Sequence, residues 1–223
     1  ALVNVQQTIG RGSAGTDINA IPLSAIQSIE VLRDGAAAQY GSDAIAGVIN
    51  IILKKGVGNG IVSASAGTTD EGDGDTYSAS ASRGFALGSD GGYLNLSVEA
   101  RKRDETNRAG LDTARVNPPR VTQRLGDSNA KDYYLWMNSA LPMGGGELYA
   151  FGGASKRKGD SGGFFRPKED GRNVPAVYPE GFLPNIVTTV QDASLAVGYR
   201  HDLSRDWSMD ASVNHGRSQL QFH

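Results

Sequence analysis

The sequence predicts a mainly β protein in which the end of a small α+β unit is followed by antiparallel strands of an incomplete transmembrane β-barrel. Two apolar, β-like runs with a glycine-rich stretch between them lie in residues 21–55. From residue 61 onward, apolar and small polar residues alternate in several segments, which is typical of membrane-barrel strands. The connections between these segments differ sharply in length. The 223 residues fit one large domain or two smaller ones, so these patterns define the organisation and the length does not.

The two apolar runs predict two strands. In the first, Ile29 and Val31 alternate with Glu30, and a period of two places the apolar pair on one face of a strand. The second run covers residues 48–53 and is interrupted only by Asn50. Such a run fits either a strand that is covered on both faces or a short buried helix, and its content of Ile and Val favours the strand.

A short helix is expected before the first strand. Pro22 fits the first turn of a helix that continues to about Gln27, because the N–H group that proline lacks would be unpaired there anyway. Asp17 or Asn19 is expected to cap this helix. Residues 1–20 are polar and punctuated by glycine, so we expect a loop that faces solvent or the lumen of the barrel.

The alternating segments predict strands with one apolar face and one small, polar face. In the third segment, for example, Leu94, Leu96 and Val98 are separated by polar residues. This two-residue period places the apolar side chains together on one side of the sheet. Seven strands are predicted, and they cover residues 59–69, 76–87, 92–104, 131–142, 146–157, 190–202 and 207–221.

The lengths of the connections give an independent indication of a barrel, because outer-membrane barrels have short turns on the periplasmic side and long loops outside. Short connections at 88–91, 143–145 and 203–206 alternate with longer ones, of which 105–130 and 158–189 are the longest. If the chain enters from the periplasmic side, the first barrel strand runs outward. Aromatic residues near the short turns are then expected to form an interfacial girdle: Phe85, Tyr93, Tyr199 and Trp207.

Composition excludes several classes of protein. A net charge of −2 gives no electrostatic support for nucleic-acid binding, and the absence of cysteine excludes a disulfide framework and a thiolate metal site. Glycine is abundant, at 30 residues, and hydrophobic residues make up only 39%, as expected for a barrel with a polar lumen or for a glycine-rich soluble β protein. No apolar run has the 18 residues of a membrane helix, so the chain could span a bilayer only as a closed barrel.

The segment IEVLRDGAAAQYGSDAIAGVINIILK resembles the closing part of the plug domain of TonB-dependent outer-membrane receptors. The resemblance covers residues 21–55, and residues 1–19 resemble the preceding plug loop. It implies three parts: the C-terminal part of a plug domain at 1–55, a hinge at 56–60 and the N-terminal strands of a transmembrane β-barrel at 61–223. Because a plugged barrel has about 22 strands, and because Ala1 opens directly into a polar segment without a signal peptide, we expect a fragment of a longer receptor.

The resemblance also implies a function. Receptors of this family actively import a scarce nutrient of siderophore, cobalamin or oligosaccharide type across the bacterial outer membrane, with energy from the TonB, ExbB and ExbD proteins. Catalysis, a cofactor and a nucleic-acid partner are not expected, whereas a small-molecule ligand and outer-membrane lipid are. Two alternatives remain open: a passive porin-like or structural barrel, and a soluble, glycine-rich β protein of the adhesin type.

Two groups of residues in the plug-like segment are candidates for its function. The resemblance implies that Glu30, Arg33 and Asp34 bridge the plug to the barrel wall, and the alternative is an ordinary salt bridge within a turn. The second group is expected to shape the turn between the two strands, where glycine supplies conformational freedom. It consists of Gly35, Tyr40, Gly41 and Ser42.

The last long loop contains the candidates for ligand binding. Exposed aromatic rings beside a cation can receive a planar, anionic ligand or stack on sugar rings, although they could equally pack the loop against itself. The candidates are Phe164, Phe165, Arg166 and Tyr178.

No metal site is expected. A pair formed by His201 and His215 is conceivable on neighbouring strands, but the chain has only three histidines. The acidic run at 70–75 lacks the ligand spacing and the closing glutamate of an EF-hand, so a solvated turn is expected there.

Overall fold

The computed structural model describes residues 17–33 and 47–223, which form two antiparallel sheets. The smaller sheet pairs β1 (Ile26–Leu32) with β2 (Val48–Leu53), and two 3-10 turns, Ile18–Ala20 and Leu23–Ala25, precede it. The larger sheet has seven strands that pair in chain order: β3 (Gly58–Gly67), β4 (Thr76–Leu87), β5 (Gly92–Arg103), β6 (Asn129–Met143), β7 (Gly146–Gly162), β8 (Asn185–Asp202) and β9 (Ser208–Phe222).

The helix expected from Pro22 to Gln27 is replaced by a single 3-10 turn. Pro22 has an extended backbone and precedes the turn, and the strand already begins at Ile26. The carbonyl of Ala25 accepts a hydrogen bond of 2.9 Å from the N–H of Lys54, at the end of the neighbouring strand. That carbonyl is thus committed to the sheet and is not available to continue a helix. Among the described residues, no helix has the length and apolarity to cross a membrane.

The two predicted strands of the small sheet are present and directly paired. Ile29 lies opposite Ile51, and Val31 lies opposite Ile49. The two-residue period therefore gathers the apolar residues of both strands, as the sequence indicates. Asp17 accepts the N–H of Asn19 at 2.9 Å and caps the first 3-10 turn, whereas the second turn, at the place of the expected helix, follows Pro22 and has no side-chain cap.

The seven strands of the large sheet correspond to the seven predicted segments, but β7 and β8 are longer than predicted. Their pairing continues to Gly162 opposite Asn185. The added residues, 158–162 and 185–189, do not show the clean alternation of apolar and polar residues found further down the strands. Backbone hydrogen bonds hold this extension together, and such bonds leave little trace in a hydrophobic pattern.

Each strand of the large sheet has two different faces. We call the face against which residues 17–25 and 53–56 lie the inner face, and the opposite one the outer face. On β5, Asn95, Ser97 and Glu99 are buried on the inner face, whereas Leu96 and Val98 are exposed on the outer face. We call residues 17–33 and 47–56, which include the small sheet, the N-terminal unit. The polar side chains of the inner face therefore point toward this unit.

This division corrects one residue of the expected aromatic girdle. Tyr93 shares its side of β5 with Asn95 and lies close to Asn138, so it belongs to the inner face. Phe85 lies on the outer face of β4, and Trp207 lies exposed at the start of β9. Tyr93 shows that closeness to a short turn does not determine the face, since the two-residue period does.

All short turns of the large sheet lie at one end. The connections at 88–91, 144–145 and 203–207 are short, and those at 68–75, 104–128 and 163–184 are longer. The chain enters the sheet at the end that carries the short turns, because Gly58 at the start of β3 pairs with Gly84 near the end of β4. The chain thus enters the large sheet at the same end of the strands as the short turns.

We predict that Gly84→Val disturbs the entry of the chain into the sheet. A Cβ atom at Gly84 would overlap the carbonyl oxygen of Gly56, which crosses the sheet at this point. Overpacking of this kind lowers the free energy of unfolding by roughly 1–3 kcal/mol. Denaturant unfolding of the protein measures it. Gly110→Val is the matched control, because a Cβ atom there meets nothing within 4 Å; equal stability of the two variants would contradict the prediction.

Candidate functional site

The candidate site is the contact between the N-terminal unit and the inner face of β4–β7. At its centre, the indole Nε1–H of Trp136 donates a hydrogen bond of 3.0 Å to the carbonyl of Ala20. Trp136 is 4% exposed and forms a small apolar cluster with Ala25 and Tyr134, against which Ile21 and Leu53 pack. A large ring that buries its one polar group on a backbone carbonyl joins apolar burial to a directional bond.

Gly153 makes room for this ring. It lies directly opposite Trp136 on β7, and a Cβ atom at position 153 would overlap the indole. The indole therefore occupies the space above the glycine on the inner face. A bulky residue on one strand and a glycine on its neighbour together form the seat of the first 3-10 turn.

Two side chains of β5 bind the backbone of the second 3-10 turn. The N–H of Ser24 donates to Oε2 of Glu99 at 3.0 Å, and the hydroxyl of Ser97 donates to the carbonyl of Ser24 at 3.2 Å. The backbone N–H and C=O groups of Ser24 are thus both hydrogen-bonded to side chains of the large sheet. Because Glu99 and Ser97 are buried, loss of either partner would leave an unpaired polar group, which costs about 1–3 kcal/mol.

A third set of contacts fixes the segment that leads into β3. Asn138 donates to the carbonyl of Lys54 at 2.9 Å, and Asn95 donates to the carbonyl of Gly56 at 2.7 Å. The ammonium group of Lys54 reaches Oγ of Ser82 at 3.0 Å. The segment from Lys54 to Gly56 is therefore bound by side-chain amides on β5 and β6.

A chain of ion pairs extends along the inner face beside these contacts. Arg157 lies 3.6 Å from Asp17 and 2.6 Å from Asp132. Arg101 lies 3.7 Å from Asp132 and 3.4 Å from Glu99. Charges of opposite sign therefore alternate from the start of the N-terminal unit to the carboxylate that binds the second turn. This arrangement neutralises the buried carboxylates of Asp132 and Glu99.

The N-terminal unit is separated from the last two strands by a cavity of about 390 Å³. Its floor includes Ile21, Ile51 and Leu53, and its opposite wall includes the buried Asp192 on β8 and Asn214 on β9. Among the described residues, Oδ1 of Asp192 has no hydrogen-bond partner. The unit is thus bound to strands β4–β7 and is separated from β8 and β9 by the cavity.

The structure places the predicted plug residues away from these contacts. Glu30 accepts a hydrogen bond of 3.0 Å from Asn50 within the small sheet, and Arg33 is exposed at the end of β1. Within the described residues, neither side chain forms a hydrogen bond or an ion pair with the large sheet. The remaining candidates lie outside the described residues: Asp34, Gly35, Tyr40, Gly41 and Ser42.

Sequence reasoning missed the residues that make the contact, although one signal was available. Trp136 and its neighbour on the same face of β6, Tyr134, lie between two polar residues of that face, Asp132 and Asn138. A large aromatic residue on the polar face of a barrel strand indicates that something covers that face. The backbone partners on the N-terminal unit carry no comparable signal.

The long loops at 104–128 and 163–184 form a second, separate cluster. The ring of Phe165 is buried, and the guanidinium groups of Arg115 and Arg120 lie 5.7 and 6.0 Å from its centre. Arg120 also donates to the carbonyl of Glu180. Phe165 therefore joins the two loops, whereas the adjacent Phe164 is 91% exposed.

An aromatic stack with a cation lies next to this junction. The rings of Tyr178 and Phe182 stack with centres 4.4 Å apart, and the guanidinium of Arg166 lies 5.6 Å from the ring of Phe182. Most neighbouring arginines are paired with carboxylates, as Arg115 is with Asp112 at 2.7 Å. Among the described residues, Arg166 has no carboxylate within 4.0 Å, and the same is true of Arg120, which lies at the junction described above.

Other charged groups of the loops have structural partners. The hydroxyl of Thr122 and the N–H groups of Ala114 and Arg115 hold the pKa of Asp112 at about 2, so this carboxylate is ionised at neutral pH. Hydrogen bonds from Arg108 hold the pKa of Asp73 well below its usual range. Asp73, within the acidic run, is therefore paired with an arginine.

The described residues contain no group of three or more His, Cys, Asp or Glu side chains that could hold a metal ion. His201 lies opposite Met209, whereas His215 lies opposite Leu195. The two histidines are thus six strand positions apart, roughly 20 Å along the sheet, and cannot share an ion.

We predict that Trp136→Phe loosens the first 3-10 turn without unfolding the large sheet. The change keeps an aromatic ring but removes the hydrogen bond to Ala20, worth about 0.5–1.5 kcal/mol. Amide hydrogen exchange in residues 17–25 should accelerate several-fold. Tyr133→Phe, three positions earlier on the outer face of the same strand, is the control and should leave exchange in this segment unchanged. Equal exchange in both variants would show that the indole does not hold the turn.

Comparison with known proteins identifies the N-terminal segment. Residues 3–48 match the family model described as TonB-dependent Receptor Plug Domain. The chain is 64% identical over 39 residues to the probable TonB-dependent siderophore receptor PirA of Acinetobacter baumannii, over 18% of this chain and 5% of the relative. It is 39% identical over 93 residues to the vitamin B12 transporter BtuB of Photobacterium profundum, over 41% of this chain and 15% of the relative.

A third relative is the ferrienterobactin receptor of Escherichia coli, which is 52% identical over 50 residues, or 22% of this chain and 7% of the relative. The matches thus span a small part of the curated relatives, at most 15% of the three named here. No solved structure matches the chain. By name, these relatives are receptors and transporters, and none is named as an enzyme. Residues 3–48 thus match part of the plug domain of TonB-dependent receptors, and seven antiparallel strands of an open sheet follow this segment.

Proposed function

We propose that this chain belongs to a receptor of the bacterial outer membrane that actively imports a scarce nutrient, and that its N-terminal unit closes the lumen of the barrel. The contact between the 3-10 turns and the inner face of β4–β7 carries the proposal. A unit that covers the polar face of a sheet whose other face is apolar is what a gate inside a barrel requires. A passive porin or an adhesin gives no reason for this unit.

The proposed division of the chain is 1–55 for the plug, 56–60 for the hinge and 61–223 for the wall. The entry of β3 at Gly58 shortens the flexible part of the hinge to the residues around Gly56, whose φ is +83°. In this arrangement the short turns face the periplasm and the loops at 104–128 and 163–184 face outward. The nutrient then meets the loops first and the plug second.

The contacts suit a gate that must hold and also release. Each hydrogen bond between the unit and the wall contributes about 0.5–1.5 kcal/mol, and several act together. None of them belongs to the hydrogen-bond ladder of the wall, so the unit can leave without opening the sheet. We propose that the TonB, ExbB and ExbD proteins supply the force. Contacts of Glu30, Arg33 and Asp34 with wall strands beyond this chain remain part of the proposal.

We propose that the ligand is anionic and carries an aromatic or other planar group. Arg120 and Arg166 supply positive charge without a carboxylate partner in the described part of the chain, and Phe164 and Tyr178 supply exposed rings. Guanidinium groups beside aromatic faces bind such molecules by charge and by stacking. Siderophore receptors among the relatives agree with this class of ligand. Uptake involves no catalysis and no resident cofactor in this proposal.

A disulfide between the plug and the wall tests the gate. In the full-length receptor, Ser24→Cys with Ser97→Cys places cysteines at two positions in contact, since the Ser97 hydroxyl lies 3.2 Å from the backbone carbonyl of Ser24, and this chain has no cysteine of its own. We expect nutrient uptake by whole cells to stop when the disulfide is oxidised and to return on reduction. Binding of the nutrient at the surface should persist throughout.

The matched control is Ser65→Cys with Ser78→Cys, a directly opposed pair of β3 and β4 whose hydroxyl oxygens lie 2.8 Å apart. This disulfide lies within the wall, so uptake should be the same in both redox states. Continued uptake with the Ser24–Ser97 positions fully cross-linked would refute a gate that moves away from the wall.

A second prediction concerns the ligand. Arg120→Gln with Arg166→Gln should weaken nutrient binding to the full-length receptor by about tenfold or more, since each guanidinium beside an aromatic face contributes on the order of 1 kcal/mol. Equilibrium binding to cells measures the change. Arg172→Gln is the control, because Arg172 is exposed and forms an ion pair with Asp170 at 2.8 Å. Equal binding by both variants would remove the loop cluster as the ligand site.

A further inference from the structure

A row of lysines crosses the outer face of the large sheet at the end that carries the long loops. Lys102 on β5 lies directly opposite Lys131 on β6, which lies directly opposite Lys158 on β7. All three are exposed. Adjacent strands are about 4.8 Å apart, and like charges that are directly opposite each other destabilise a sheet. The row therefore concentrates positive charge on this part of the outer face.

The described part of the chain supplies little negative charge to balance the row. Lys102 has a carboxylate partner, Asp104, at 2.8 Å. In the same part of the chain, Lys131 and Lys158 have no carboxylate within 4.0 Å. Asp160 lies nearby on β7, but Arg124 already pairs with it at 3.5 Å. The positive charge of the row is thus largely uncompensated by the described residues.

A groove of about 550 Å³ lies beside the row, one or two residue positions toward the middle of the sheet. Its floor is formed by small residues, Ala154 on β7 and Ala193 on β8, which are directly opposite each other. Tyr133 and Leu135 border one side, and Arg217 and Gln219 border the other. Lys156 and Gln191 line the end of the groove that is nearer the lysine row. These residues follow the two-residue period of the outer face, so the groove opens to the outside of the wall.

We propose that this surface binds a phosphate-bearing membrane lipid, with the head group on the lysine row and one acyl chain in the groove. The proposal rests on the proposed function, which places the outer face in a membrane. Charge alone would fit many anions, but the apolar groove continues into exposed Leu135 and Val98, which a soluble anion would not use. Tyr133 lies between the two parts, where barrel proteins place aromatic rings at the membrane interface.

Binding of defined lipids to the full-length receptor in detergent tests the head-group site, with native mass spectrometry as the readout. We expect dioleoyl phosphatidylglycerol to be retained better than the zwitterionic phosphatidylcholine of the same chains. Lys131→Gln with Lys158→Gln should weaken retention of phosphatidylglycerol by on the order of tenfold or more. The control Lys168→Gln with Arg205→Gln removes two exposed positive charges away from the row and should change retention less than twofold.

A second variant tests the groove and separates a lipid from free phosphate. Ala154→Leu fills the floor without a change of charge, so it should weaken retention of the long-chain lipid but not of dihexanoyl phosphatidylglycerol. Ala150→Leu, on the same face but outside the groove, is the control. Competition by millimolar inorganic phosphate alone, equal to competition by lipid, would overturn the proposal in favour of a plain anion site.

Equal retention of phosphatidylglycerol by wild type and by the Lys131/Lys158 and Ala154 variants would also overturn it. Nutrient uptake is measured on the same variants, so the two proposals fail separately. A receptor that imports its nutrient but shows no lipid preference refutes the lipid site only. One that retains the lipid at this surface but imports nothing refutes the proposed function and supports the site.

Discussion

The two-residue period of the β-strand is the constraint on which the rest of this structure depends. Because successive side chains point to opposite faces, one strand such as β5 serves two environments at once. Its apolar residues form the exposed outer face, and Ser97 and Glu99 meet the N-terminal unit on the other. A shift of one residue in register would exchange the two sets. The surface that meets the N-terminal unit and the apolar outer face are therefore specified by the same pairing.

The contact between plug and wall is asymmetric in its chemistry. The wall contributes side chains, whereas the plug contributes mainly backbone groups, as at Ala20 and Ser24. Backbone groups are present whatever the side chain, so the plug sequence is not fixed by these contacts. Asp17 and Lys54 are exceptions, since each reaches the wall through its charge. Because of this asymmetry, the side chains of the turns can vary while the hydrogen bonds from the wall to the backbone are kept.

The same asymmetry explains how much could be predicted from the sequence. Strand positions followed from alternation, and the placement of the turns followed from glycine and loop length, because both leave a pattern in the chain. The contact between plug and wall could not be predicted from the sequence, since a backbone carbonyl such as that of Ala20 is present in every type of residue. The family resemblance implies that Glu30 bridges the plug to the wall, whereas among the described residues Glu30 binds Asn50 in its own sheet. Phe165 was predicted as a ligand contact but is buried between two loops, which only the tertiary structure reveals.

The location of the plug contacts on β4–β7 has a consequence for the order in which the molecule assembles. Every wall strand pairs with its neighbours in the chain, so each new hairpin adds to an existing edge by closing a short or moderate loop. Once β7 has paired, the seat around Trp136 is complete, while β8 and later strands are still to come. The N-terminal unit can therefore dock on a sheet of five strands, β3–β7, before β8 and β9 are added to it.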